Sequence, residues 1–142
     1  MTSVGFEPEP SSAVPLLSLD LDQNREAPSL ARAAVARFFE DPKIAETTRA
    51  TLTLLVSEVV TNAVIHPDLG EPGEIQLRAG IANGVIRVEV TDQGSGFKPT
   101  PRDPTKSDEG YGLFLLDKQA MRWGVEQRSG TTVWFELIPQ AV

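Results

Sequence analysis

The hydrophobic and polar positions of this 142-residue chain follow two different periods. Alternation with a period of two is typical of β-strands, and apolar residues spaced by three or four positions are typical of helices. Alternating segments cover residues 14–22, 73–82, 84–92, 122–129 and 131–139, and helical spacing covers 30–40, 46–66 and 113–121. The pattern therefore predicts the order strand, two helices, two strands, helix, two strands.

Turn-forming residues separate these segments. Pro42 and Pro67 follow the two long helical segments, and proline is excluded from a helix interior. Asn83 and Gly84 form the dipeptide that tight hairpins favour. Residues 93–110 are rich in Gly, Pro and charge, so we expect a long loop there that acts as a lid. This organisation predicts an α+β fold, a two-layer α/β sandwich with helices on one sheet face and segment 14–22 at an edge.

Composition narrows the class of protein. With 40% hydrophobic and 23% charged residues, we expect one domain over residues 14–142 that follows a flexible tail over residues 1–13. The absence of cysteine and the single histidine exclude thiolate and multi-histidine metal sites. A net charge of −7 opposes nucleic-acid binding, and no apolar run is long enough to span a membrane. We expect a soluble, cytoplasmic protein.

Two polar residues of helix 46–66 are candidates for chemistry. Glu58 and Asn62 lie at the border of the broad apolar arc of this helix, away from its solvated side. The chain's only histidine, His66, follows one turn later. Such a pair is often only a polar rim, and a histidine at a helix end is most often a cap or a dipole partner.

A second group lies at strand ends. Asp92 has the parity of Ile86, Val88 and Val90, so the buried face of that strand ends in an acid. An aspartate before glycine often only closes a turn, but Gly94 and Gly96 allow another molecule to approach the backbone closely. Thr131 similarly shares the parity of the apolar residues of the last strand.

The lid ends in a third candidate motif, Gly110, Tyr111, Gly112 and Leu113. Glycines at the start of a helix leave free N–H groups that suit an anion such as phosphate. Taken alone, this motif is equally compatible with a flexible hinge.

Together these motifs resemble the GHKL, or Bergerat-fold, ATPases, a superfamily that includes DNA gyrase and sensor histidine kinases. Its signature is E-x-x-x-N on a helix, D-x-G-x-G after a strand and G-x-G before a later helix. Here residues 58–62 read EVVTN, residues 92–96 read DQGSG and residues 110–112 read GYG. The resemblance implies a mixed, mostly antiparallel sheet. Within the superfamily, the chain resembles the bacterial anti-sigma factor serine/threonine kinases of partner-switching systems.

The resemblance implies a role for each motif residue. Asp92 would accept the adenine amino group, with Thr131 in support, and Gly94 and Gly96 would admit the base. Asn62 would bind the Mg²⁺ of Mg-ATP, and Glu58 would be the general base. The segment Gly110, Tyr111, Gly112 and Leu113 would hold phosphate, and Lys106 or Arg102 would neutralise the terminal phosphoryl group.

The resemblance also implies the biological role. The chain would be an ATP-binding anti-sigma regulator that phosphorylates a serine of an anti-sigma factor antagonist protein. Its partners would be that antagonist and a sigma factor, and a homodimer is compatible with the resemblance. The alternative is a binding module that sequesters a sigma factor or another regulator in an ATP-dependent way, without phosphoryl transfer.

Overall fold

A computed structural model describes residues 16–65, 73–93, 111–127 and 130–140, with the backbone alone for residues 65 and 111–114. It contains five strands and three helices in the predicted order. They are β1 (Leu16–Asp22), α1 (Ala27–Phe38), α2 (Glu46–Ile65), β2 (Glu74–Ala82), β3 (Val85–Asp92), α3 (Tyr111–Gln119), β4 (Arg122–Gln127) and β5 (Thr131–Leu137).

Local sequence explains the turns that begin and end these elements. Before α1, the Asn24 side chain accepts a hydrogen bond from the Glu26 amide, and Pro28 suits the first helical turn because its missing N–H needs no partner there. The β2–β3 hairpin turns at Asn83 and Gly84, whose φ angles of 54° and 77° are those of the predicted tight turn. The acidic Glu46 lies in the first turn of α2, where it complements the helix dipole.

The strands form one sheet in the order β1-β2-β3-β5-β4, with β1 at an edge as predicted. All four neighbouring pairs are antiparallel, so the sheet is antiparallel throughout rather than mixed. The connections give the reason. Two helices join β1 to β2 and return the chain to the same end of the sheet, so the two strands run in opposite directions. Strands β3 and β4 are parallel, but β5 lies between them.

The three helices pack on one face of this sheet and confirm the two-layer α+β architecture. Helix α1 contacts β1, α2 contacts β3, and α3 contacts β4. Within each strand, the apolar side chains at alternate positions point to this face. They form one core with the buried residues of the helices. The central helix α2 is valine-rich, and burial of Val56, Val59 and Val60 outweighs the low helix propensity of valine.

The opposite face of the sheet has a buried ionic cluster made of Arg87, Glu89 and Glu136, and the exposed Arg122 joins this cluster at its edge. Arg87 donates to Glu89 at 3.1 Å and to Glu136 at 2.7 Å, and Arg122 donates to the other Glu136 oxygen. The Arg87 guanidinium also lies 4.2 Å from the centroid of the Trp134 ring. This face is therefore fixed by charge pairing and aromatic cover. Among the described helices, none is long and apolar enough to cross a membrane.

Candidate functional site

One end of the helix-facing side of the sheet is polar, in contrast to the rest of that side. Along β3 and β5, the facing pairs are Ile86 with Leu137, Val88 with Phe135, and Val90 with Val133. The next pair is Asp92 with Thr131. Both side chains are buried, with 8% of Asp92 and 1% of Thr131 exposed. A carboxylate and a hydroxyl thus replace apolar residues at the last position of both strands, as the strand parity predicts.

Gly130 allows β5 to begin this close to Asp92. Its φ angle of 122° lies in a region that residues with a side chain rarely adopt. A Cβ atom at this position would overlap the Asp92 carbonyl oxygen. A side chain at residue 130 would therefore displace the backbone that presents the Asp92 carboxylate.

The last turns of α2 carry the two other central candidates. Asn62 lies three residues after the buried Val59 and therefore on the same side of the helix. The residue is only 9% exposed, yet no hydrogen bond of its amide occurs within the described part of the chain, and the amide is not fully buried there. Glu58 is half-buried, one turn earlier. An amide that is neither hydrogen-bonded nor fully buried is available for a ligand.

Gln23 locates this end of α2 relative to Asp92. Its side-chain amide donates to the Ala63 carbonyl of α2 at 2.6 Å and accepts from the Gly73 amide at 2.8 Å. A Cβ atom built on Gly73 would in turn lie 4.0 Å from the Cβ atom of Gln93, the residue after Asp92. This chain of contacts brings the C-terminal end of α2 to the Asp92 end of the sheet. The sequence interpretation did not identify Gln23.

Several predicted site residues lie outside the described residues. These are His66, Gly94, Gly96, Arg102, Lys106 and Gly110. Tyr111, Gly112 and Leu113 are described by their backbone, which forms the first turn of α3, so the helix begins two residues before the predicted start at residue 113. The roles assigned to this group stay predictions.

Comparison with known proteins identifies the family. Residues 21–137, from the end of β1 to the end of β5, match the histidine kinase-like ATPase domain. The chain belongs to this family. The matched range includes Glu58, Asn62, Asp92 and Thr131, and the match identifies the chain as an ATP-binding domain of the GHKL type.

Individual relatives agree with this assignment. An anti-sigma F factor of Halalkalibacterium halodurans is 35% identical over 133 residues, which cover 84% of this chain and 90% of that protein. An anti-sigma F factor of Clostridium botulinum is 34% identical over 89 residues, and the chain spans only 61% of its length. The structure of the RsbU and RsbW domains of a Mycobacterium tuberculosis protein shares the fold, with a TM-score of 0.68, 22% identity, and coverage of 88% of this chain and 32% of that one.

The chemistry of the site fits an adenine nucleotide with Mg²⁺. A carboxylate accepts hydrogen bonds only, so Asp92 suits the amino group of adenine. No cluster of three or more acidic or histidine side chains that could bind a metal occurs within the described ranges. Asn62 is the residue of α2 that the family resemblance implies as a Mg²⁺ ligand, and phosphate and water oxygens would complete the coordination.

Proposed function

We propose that this chain is an anti-sigma regulator that binds Mg-ATP and transfers its terminal phosphoryl group to a serine of an antagonist protein. The observation that carries the proposal is the polar end of an otherwise apolar sheet face, where the buried Asp92 and Thr131 lie opposite each other on neighbouring strands. The names of the two anti-sigma F factors above support the regulatory half of the proposal.

In this proposal the described residues have three roles: binding the base, binding the metal and accepting a proton. Asp92 and Thr131 bind the adenine ring from the sheet. Asn62, whose amide makes no hydrogen bond within the described ranges, binds Mg²⁺ from α2. Glu58 lies one helical turn earlier on the same helix and is half-exposed, so a hydroxyl from a partner protein can reach it. It would take the proton of that hydroxyl as the serine attacks.

A binding module without phosphoryl transfer is the second candidate. The relatives are named for sigma-factor inhibition and not for a kinase activity. In that case Mg-ATP only stabilises the surface that binds the sigma factor. Asp92 and Asn62 have the same roles in both candidates, whereas Glu58 has a chemical role only in the first.

Glu58→Gln separates the two candidates. The amide has the shape of the carboxylate but cannot accept a proton, so it should leave ATP binding nearly intact. Phosphoryl transfer should slow by roughly two to four orders of magnitude. The measurement is transfer of labelled phosphate from Mg-ATP to proteins that co-purify with the chain from its native cell, alongside calorimetry with ATP.

Glu46→Gln is the matched control, because it removes an exposed carboxylate from the first turn of the same helix. Transfer by the Glu46→Gln protein should equal that of the parent. If the parent binds partners in an ATP-dependent way but phosphorylates none of them, the binding module replaces the kinase. A parent that binds no adenine nucleotide would refute both candidates.

A further inference from the structure

Gln23 lies just after β1 and extends its pattern. It is two residues beyond Leu21, so it faces the helices, and its own amide donates to the Gly73 carbonyl at 3.0 Å as a continuation of the β1–β2 ladder. The side chain can therefore reach α2 while the backbone stays paired with the residue that precedes β2.

The two partners of the Gln23 side chain fix its orientation. A carbonyl can only accept a hydrogen bond and a backbone N–H can only donate one. The side-chain nitrogen must therefore face the Ala63 carbonyl at 2.6 Å, and the oxygen must face the Gly73 amide at 2.8 Å. One half-buried side chain thus connects the ends of two elements that are 40 and 50 residues away in sequence.

The Ala63 carbonyl needs such a partner. It is one of the last four carbonyls of α2, which have no amide within the helix to bind. The last turn of α2 contains no basic side chain that could take this role. Asn62 lies in the same final turn, whereas Glu58 is one turn further inside the helix. Fraying of this helix end would therefore displace Asn62 before it displaces Glu58.

We infer that Gln23 is a positioning residue for the metal half of the nucleotide site: it holds the final turn of α2 in place and thereby the Asn62 amide. This inference rests on the proposed function, in which Asn62 binds Mg²⁺. In this proposal Gln23 acts through Asn62 and is not itself a ligand of the nucleotide or the metal. The residues proposed to bind adenine lie on β3 and β5, so the affinity for ATP without Mg²⁺ should not depend on Gln23.

Two variants test the bridge. Gln23→Ala removes both hydrogen bonds, and Gln23→Glu keeps the acceptor for Gly73 but loses the donor to Ala63. Both should weaken Mg-ATP binding by roughly three- to ten-fold, the effect of about one hydrogen bond, while ATP with a chelator binds as to the parent within about two-fold. Gln76→Ala and Gln76→Glu are the matched controls, because Gln76 is exposed on the opposite face of β2.

Hydrogen exchange of the nucleotide-free protein provides an independent measurement. The amides of residues 62–65 should exchange several-fold faster in Gln23→Ala than in the parent, while the amides of residues 52–56 should not change. A defect that is equal with and without Mg²⁺, or unchanged exchange at the helix end, would overturn the inference. If the parent binds no nucleotide, the proposed function fails together with the metal role, and faster exchange would then leave Gln23 as a helix cap only.

Discussion

Asp92 and Thr131 lie directly opposite each other on β3 and β5, and both side chains are buried at the end of the sheet face that packs against the helices. A carboxylate can only accept hydrogen bonds, and a hydroxyl can donate as well as accept. The pair therefore places two hydrogen-bonding groups on neighbouring strands at this end of the sheet. Under the proposed function, this arrangement would distinguish bases that carry an amino group from bases that carry a carbonyl at the same place.

Asp92→Asn should weaken ATP binding and reduce the preference for ATP over GTP. The substitution replaces an acceptor by a group that can also donate, and it removes a hydrogen bond to a charged group, so we expect a loss of roughly 10- to 100-fold for ATP. Calorimetry with both nucleotides measures the effect. Asp22→Asn, at an exposed position of β1, is the control and should bind as the parent does. Equal affinity of the parent for ATP and GTP would contradict the role of Asp92.

Gly130→Ala should destabilise the fold more than Gly84→Ala. Both glycines have positive φ angles, 122° and 77°, so each substitution carries a backbone cost of about 1–2 kcal/mol. At Gly84 a new Cβ meets no atom within 4 Å, whereas at Gly130 it overlaps the Asp92 carbonyl oxygen. Urea unfolding should show the larger loss for Gly130→Ala, and ATP affinity should fall only in that variant. Equal losses in stability would show that the strand ends can separate freely.

The sequence was sufficient to predict the elements and the positions of Asp92 and Thr131 in the sheet. Period-two alternation indicated each strand, and its parity placed Asp92 and Thr131 on the helix-facing side, where the β3–β5 register pairs them. Asn83 and Gly84 indicated the hairpin, because few other dipeptides tolerate two positive φ angles. These features depend on residues that are close together in the sequence, so the local sequence pattern is enough to predict them.

Features that depend on register between distant segments were not predicted. Gln23 follows β1 in a polar stretch, and its partners Ala63 and Gly73 are identifiable only once β1, α2 and β2 are packed. Arg87 and Glu136 occupy the polar positions of alternating strands, which indicate a solvated face. The β3–β5 pairing places them side by side under Trp134 and buries them. The strand order, in which β5 lies between β3 and β4, is also known only from the packed sheet, and it makes every neighbouring pair antiparallel, which corrects the expectation of a mixed sheet.

The buried ionic cluster should be sensitive to loss of its central cation. Arg87→Met leaves Glu89 without its arginine partner in a buried position, so we expect the free energy of unfolding to fall by about 3–5 kcal/mol. Arg122→Met is the control within the same cluster, because 64% of the Arg122 side chain is exposed, and it should cost less than about 1 kcal/mol. Urea unfolding of both variants measures the difference. A similar loss in the two would show that burial does not determine the effect.

Glu89 should make the stability of the protein depend on pH. Burial of this carboxyl group raises its pKa, and this effect outweighs the Arg87 partner that lowers it. An acid with a raised pKa in the folded state binds more protons there than in the unfolded chain, so its contribution to stability falls as pH rises through the window above its ordinary pKa.

Glu89→Gln can still accept a hydrogen bond from Arg87 but cannot ionise. The variant should therefore gain stability relative to the parent as pH rises through the range above the ordinary pKa of a glutamate. Urea unfolding of both proteins across this range measures the difference. The same series on Glu74→Gln, at an exposed position of β2, measures the effect of removing a surface charge. This effect is subtracted from the difference seen for Glu89→Gln. A corrected difference that falls as pH rises would contradict the role of burial at Glu89 and would mean that the Arg87 pair dominates.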